Sequence, residues 1–308
     1  MKELIVPERF DGKKLSRFLV HSIETLDIHT VYKLLRKKDI KLNGKRIHEN
    51  VILKRNDIVI IYLKDEDSGI KKIDFEIIYE DENILAVNKP RALEVVGDHS
   101  LTSLLRAKFN TLENNFPAPC HRLDRNTTGL ILYAKNEESL HILLEKFKDH
   151  EIEKKYRAVV YGIPKKKEET VESFLFKDRK KSLVYISDVF KNGYQKIKTS
   201  YTVLEKDLKN NISILEVILH TGKTHQIRAH LAHLGLPIIG DGKYGNNQIN
   251  KAFGKTSQML ISYSIQFNFE TDAGLLHYLN GKEIVYSNNF SNSLPDITSF
   301  SNNNPANS

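Results

Sequence analysis

Apolar residues recur at helical spacing in two short N-terminal segments. Leu15, Phe18 and Leu19 fall at i, i+3 and i+4 and predict a helix. Val31, Leu34 and Leu35 repeat the spacing, with Thr30 as the candidate N-cap. Lys33, Arg36, Lys37 and Lys38 take the remaining positions, so this helix buries one face and presents cations on the other. Ile40-Lys-Leu42 runs into Asn43-Gly44, a strong hairpin signal, flanked by Lys45 and Arg46. Asn56-Asp57 predicts a further turn, and 58–63 a buried strand.

The polar run Lys64-Asp-Glu-Asp-Ser-Gly69 breaks the pattern and reads as part of a linker over 64–73. A larger body then spans 74–286. It opens with strand-like runs at 75–79 and 84–87, separated by Asp81-Glu-Asn83. Asn136 caps a predicted helix with apolar Leu140, Leu143, Leu144 and Phe147, and Glu137 and Glu138 suit its positive end. Residues 156–162 and 212–219 are β-like. From 287 to 308 there is no Lys or Arg and much Asn and Ser, which predicts a disordered tail. Many β-like runs with interspersed helices, without regular βαβ alternation, indicate an α+β body behind a small α+β module.

Charge separates the two parts further. Residues 1–63 hold 14 Lys and Arg against 8 Asp and Glu, net +6, while the other 245 residues hold 33 against 31, net +2. A basic module on a nearly neutral body suits a polyanion partner. No apolar run approaches the roughly 18 residues of a spanning helix, so no membrane partner is expected. The start, Met1 to Pro7, shows no secretory signal. A single cysteine, Cys120, excludes an intrachain disulfide and reads as a small buried thiol. Together these point to a cytoplasmic protein, expected to act as a monomer.

Several familiar sites are missing. Gly222-Lys223-Thr224 resembles the end of a phosphate loop, but the position that needs the first glycine holds Val217. His225, His230 and His233 lack the His-Glu-x-x-His pattern, so no metal site is assigned; solvent-facing or RNA-facing rings are the simpler reading. The informative stretch is 120–134, where a charged loop runs into an apolar strand. There Asp124 stands between Arg122 and Arg125, either as a working carboxylate or as a salt-bridged loop residue.

Here the chain resembles a family. His121-Arg-Leu-Asp124-Arg-Asn-Thr-Thr-Gly129-Leu is similar to the signature of RluA-type pseudouridine synthases, usually His-Arg-Leu-Asp-x-x-Thr-Ser-Gly. Lys154-Lys-Tyr156 looks like the family's Lys-x-Tyr strand. Leu219-His-Thr-Gly-Lys-Thr-His-Gln-Ile-Arg228, with the segment from Gly235 to Gly245, looks like its third motif, and Asn88-Lys-Pro90 like its entry strand. The resemblance runs roughly from 74 to 269. Residues 14–63 also resemble a small RNA-binding domain of a ribosomal protein. Arg91, Thr128, Lys223 and Ile261-Ser262 depart from the usual Gly, Ser, Arg and His-Ala; none touches Asp124, Tyr156 or Arg228.

The resemblance implies a mixed, mostly antiparallel sheet and the isomerisation of uridine within RNA, which requires no cofactor. It implies Asp124 as the essential carboxylate, attacking sugar or base or abstracting a proton. One carboxylate fits this better than glycoside hydrolysis, which normally uses two. Tyr156 would stack on uracil, and Arg228, on a helix capped by Thr224, would hold Asp124 with two parallel hydrogen bonds. Lys154 would support the site by its charge, and His121 or Arg122 would fill the place of the flipped base. Lys33, Arg36 and Lys37 would meet phosphates. Ribosomal RNA of the large subunit is the first expected substrate and tRNA the second. The rival readings are a non-catalytic RNA-binding protein of the same fold and a metal-dependent hydrolase.

Overall fold

Asn43 and Gly44 turn the N-terminal hairpin. Both take positive φ, 50° and 81°, the turn that matches strand twist. Ile40–Leu42 then pairs antiparallel with Lys45–Ile47. The computed structural model describes residues 1–23, 26, 28–62, 75–97, 100–109, 111 and 115–286. The expected linker and tail lie outside these residues. The chain divides into two units, Met1–Asp74 and Phe75–Ser308.

In the first unit, four strands of the described residues run in the order Lys2–Ile5, Ile58–Ile61, Ile40–Leu42, Lys45–Ile47. Helices Leu15–Ser22 and Ile28–Arg36 pack Leu15, Phe18, Leu19, Val31, Leu34 and Leu35 into one core with Val59 and Ile61. The second helix starts before Thr30, which lies buried within it and is not the cap. Lys33, Arg36 and Lys37 are exposed, as the 3.6-residue period requires.

The second unit is built on an eleven-stranded sheet of the described residues. Its main path runs Leu183–Ser187, Glu168–Asp178, Gln195–Asp207, Ile212–Leu219, Ile152–Tyr161, Leu260–Phe267, Thr128–Ala134, Ile84–Lys89, Glu76–Glu80. Neighbours are antiparallel except at one seam, where Ile261 faces Thr128 and Ser262 faces Gly129 in parallel. Gly129 has φ +106°, and a Cβ there would stand 2.0 Å from the Ser262 carbonyl oxygen, so glycine is needed at this crossing. The fold is α+β with a mostly antiparallel sheet.

Alternation along the strands feeds two cores. Leu85, Val87, Ile131 and Tyr133 face one side; Ile84, Ala86, Leu130 and Leu132 face the other. Helix Glu137–Lys148 covers the second side, its Asn136 side chain accepting the Ser139 N–H at 2.9 Å. Leu140, Leu143 and Phe147 pack inward, whereas Leu144 is 46% exposed, one residue off the apolar stripe. At the helix end the Lys146 ammonium meets Glu151 at 2.7 Å, both buried.

Candidate active site

Asp124 opens a tight turn, its carbonyl accepting the Thr127 N–H at 3.0 Å. The loop is anchored by Lys89, which is fully buried and spends its three donors on the carbonyls of Pro90 at 2.9 Å, Leu93 at 2.8 Å and Arg125 at 2.9 Å. Burial pushes the Lys89 ammonium down to about 8, opposed by the charges of Glu94 and Asp124. The Lys89 contacts therefore set where the carboxylate stands.

Arg228 approaches from helix Gln226–His233. Its Nη1 donates to Asp124 Oδ2 at 2.9 Å. The two-pronged grip expected for Asp124 goes instead to Asp241, with Nε to Oδ2 at 2.6 Å and Nη2 to Oδ1 at 2.9 Å. Asp241 is wholly buried and also accepts the N–H groups of Lys243 and Tyr244. Burial alone would raise the Asp241 carboxyl, but Arg228 and these donors hold it below its ordinary range. Arg228 is buried too, and its two carboxylate partners keep it firmly charged. Asp241 was missed in the sequence because a lone acid in Gly240-Asp-Gly242 carries no local sign of its partner.

The helix start also differs from expectation. The cap is His225, in the left-handed region at φ 54°, and Thr224 instead accepts from Lys177 Nζ at 3.2 Å. Gln226 fixes the preceding loop: its Oε1 accepts from Thr221 Oγ1 and the Lys223 N–H, while its Nε2 donates to Lys198 O and Thr199 Oγ1.

Asp124, Arg228 and Tyr156 line one cleft of about 370 Å³, open to solvent, together with Arg122, Lys223 and His225. Tyr156 is 4% exposed, and burial, reinforced by the negative charge of Asp124, raises its phenol so that it stays protonated. Asp124 keeps 22% of its side-chain surface exposed, which leaves it reachable from the cleft.

Residues 83–233 match the family model described as RNA pseudouridylate synthase. Over 92% of its length the chain is 32% identical to a Mycoplasma capricolum protein named "Uncharacterized RNA pseudouridine synthase", 97% of which is covered. The chain belongs to the RNA pseudouridylate synthase family. It is an isomerase acting on RNA. It is also 34% identical, over 77% of its length and 84% of the relative's, to the ribosomal large subunit pseudouridine synthase C of Rickettsia bellii. Among solved structures, human RNA pseudouridylate synthase domain containing 1 superposes with a TM-score of 0.54 at 25% identity, covering 65% of this chain and 80% of that one.

Two residues named from the family motifs do not line the cleft. His121 Nε2 accepts the Leu132 N–H at 3.1 Å, and its ring packs 5.0 Å from Phe147. Lys154 Nζ stands 4.8 Å from the same Phe147 ring, on the second core's side. A register shift between Ser262 and Ser264 lies where Lys155 and Tyr156 pair, and it parts Lys154 from Tyr156. Burial lowers both groups: His121 falls well below its ordinary range, with the Lys154 charge adding to the effect, and Lys154 falls to about 8. Of the three histidines, His230 is fully buried between Thr199 Oγ1 and Ser173 Oγ rather than facing solvent or RNA, and His233 Nε2 lies 2.8 Å from Asp188.

Proposed function

We propose that the chain converts uridines of large-subunit ribosomal RNA to pseudouridine, with Asp124 as its catalytic carboxylate. The observation that carries this reading is a carboxylate joined to Arg228 by one hydrogen bond and open to a cleft that a buried, protonated tyrosine also lines. The net reaction breaks the bond from C1′ to N1, makes one from C1′ to C5, takes the proton from C5 and leaves one on N1. An aimed carboxylate serves the first break as nucleophile or as base at the sugar. Tyr156 offers a ring face for the extruded uracil. Arg122, exposed at the cleft, fills the stack that the base vacates.

The ribosomal substrate is supported by relatives such as the Rickettsia bellii enzyme, whose name states it. The basic N-terminal unit supports it as well: exposed Lys33 and Arg36 share one helix, exposed Lys37 follows its last residue, and the three suit phosphate contacts. A ribosomal substrate implies work in the cytoplasm, where ribosomal RNA is assembled.

Tritium release from large-subunit RNA labelled at uracil C5 tests the activity, and a pseudouridine map of total RNA with and without the gene tests the substrate. Loss of a site in tRNA with none lost in ribosomal RNA would replace the ribosomal reading by a tRNA one. The K33Q/R36Q/K37Q variant should flatten the log–log salt slope of binding by about 0.7–0.9 for each phosphate it no longer neutralises, with the saturated rate unchanged.

A further inference from the structure

We propose that His225 positions the Asp124 carboxylate as an uncharged N–H donor, in a tautomer set by Tyr244. The inference rests on the reading of Asp124 as the catalytic group. It starts at the edge of the sheet. Val184 belongs to the edge strand Leu183–Ser187, and its N–H donates to Tyr244 Oη at 2.9 Å. Tyr244 Oη lies 2.8 Å from His225 Nδ1. With the Val184 N–H already on the phenol oxygen, the assigned arrangement has Tyr244 donate its own hydrogen to the ring. His225 Nδ1 is then the acceptor, and the remaining hydrogen sits on Nε2. That nitrogen lies 3.9 Å from Asp124 Oδ2 in the resting site.

The separation is longer than a hydrogen bond, as catalytic contacts often are before substrate arrives. The surroundings keep the ring neutral. Burial lowers its proton affinity, Asp124 opposes this, and the Arg228 and Lys243 charges add to burial. Burial likewise raises the Tyr244 phenol, which keeps the proton it donates. Lys243 Nζ holds the Ser182 carbonyl at 2.9 Å and so keeps the edge strand beside Tyr244. The result is a second donor for Asp124 that adds no charge beside Arg228.

The test combines a spectrum with kinetics on the full chain. In protein labelled with 15N-histidine, with His225 assigned by its absence from H225N, Nδ1 should show the unprotonated signature and Nε2 the protonated one. Y244F should release the ring to a mixture of tautomers. Asparagine tolerates the left-handed backbone but is too short to reach Asp124; glutamine places a donor near the Nε2 position. H225N should lose roughly 10–100-fold in single-turnover rate at saturating enzyme, the worth of one hydrogen bond to a charged group, with RNA affinity within about twofold. H225Q should recover most of it, and H225N/Y244F should be no slower than H225N. Nδ1 protonated in the wild type, equal rates for H225N and H225Q, or a loss confined to RNA affinity would each overturn the proposal. Full turnover by D124N would instead sink the reading of Asp124, and leaves the tautomer result standing.

Discussion

The body holds two buried charge clusters that look alike in composition and differ in closure. In the first, Lys146 donates to Glu151, to the Thr271 carbonyl at 2.9 Å and to the Thr271 hydroxyl. Glu151 also accepts the Thr271 hydroxyl at 2.6 Å and the Glu270 N–H at 3.1 Å. Both side chains are at least 94% covered, since 3% and 6% remain exposed. In the second, Asp241 is sealed in the same way by Arg228, but Asp124, on the other side of that guanidinium, keeps 22% of its surface. A buried carboxylate with both oxygens engaged holds structure together. One with a single strong partner and an open side can react. The difference lies in which oxygen the packing leaves uncovered, not in residue type.

The sharpest way to break this contrast is D124N. Turnover should fall by roughly 10³-fold or more, with a melting temperature within about 2 °C of wild type. A large loss of stability would return Asp124 to the class of Glu151. Next is Arg228. R228A should cost on the order of 10²-fold in rate and also lower the melting temperature, because Asp241 is left buried without its cation. R228K restores charge but not the fork, so it should recover only part of either loss.

K146M addresses the sealed cluster. It should lower the melting temperature by on the order of 10 °C, the cost of an uncompensated buried charge, while the saturated single-turnover rate stays within about twofold. The smallest effect is in pH. The Lys146 hydrogen bond, followed by that of Thr271, holds the Glu151 carboxyl down at about 2, from an ordinary 4.5. A carboxyl depressed in the folded state stabilises above its unfolded value and loses that contribution as pH falls through the folded one. Thermal melts of wild type and E151Q should therefore converge between about pH 4.5 and 2. A gap that is constant across that window would show the pair to be electrostatically idle.

Sequence reading worked where the cause was local. The Asn43-Gly44 turn, the Asn136 cap and the strand Ile212–Leu219 each follow from a few adjacent residues. The three motif residues Asp124, Tyr156 and Arg228 also meet in one cleft. Reading failed where distant chain decides. Thr224 loses the cap because Gln226 pins its loop to Lys198 and Thr199, 27 or more residues away. His121 turns toward Phe147 because its loop pairs back on Leu132. The buried role of Lys89 has no local sign, since its acceptors are backbone carbonyls. Strands Glu168–Asp178 and Gln195–Asp207 escaped notice because one face of each is charged or half exposed, which thins the apolar alternation.

The crossing at Gly129 gives the site a mechanical character. The loop bearing Asp124 feeds the strand on one bank of the parallel seam, Thr128–Ala134. Tyr156 and Arg228 belong to the other bank, which continues through Leu260–Phe267 and Ile152–Tyr161. The hydrogen bond from Arg228 to Asp124 is thus a tie across a joint, and its length gauges the alignment of the two halves. Sliding along the joint by one residue, about 3.3 Å, would pull the tie apart without unfolding either half. A methyl group at position 129 would act as a wedge in that joint, about 2.0 Å from the Ser262 oxygen. It would displace the Asp124 carboxylate through the seam itself, without touching the cleft.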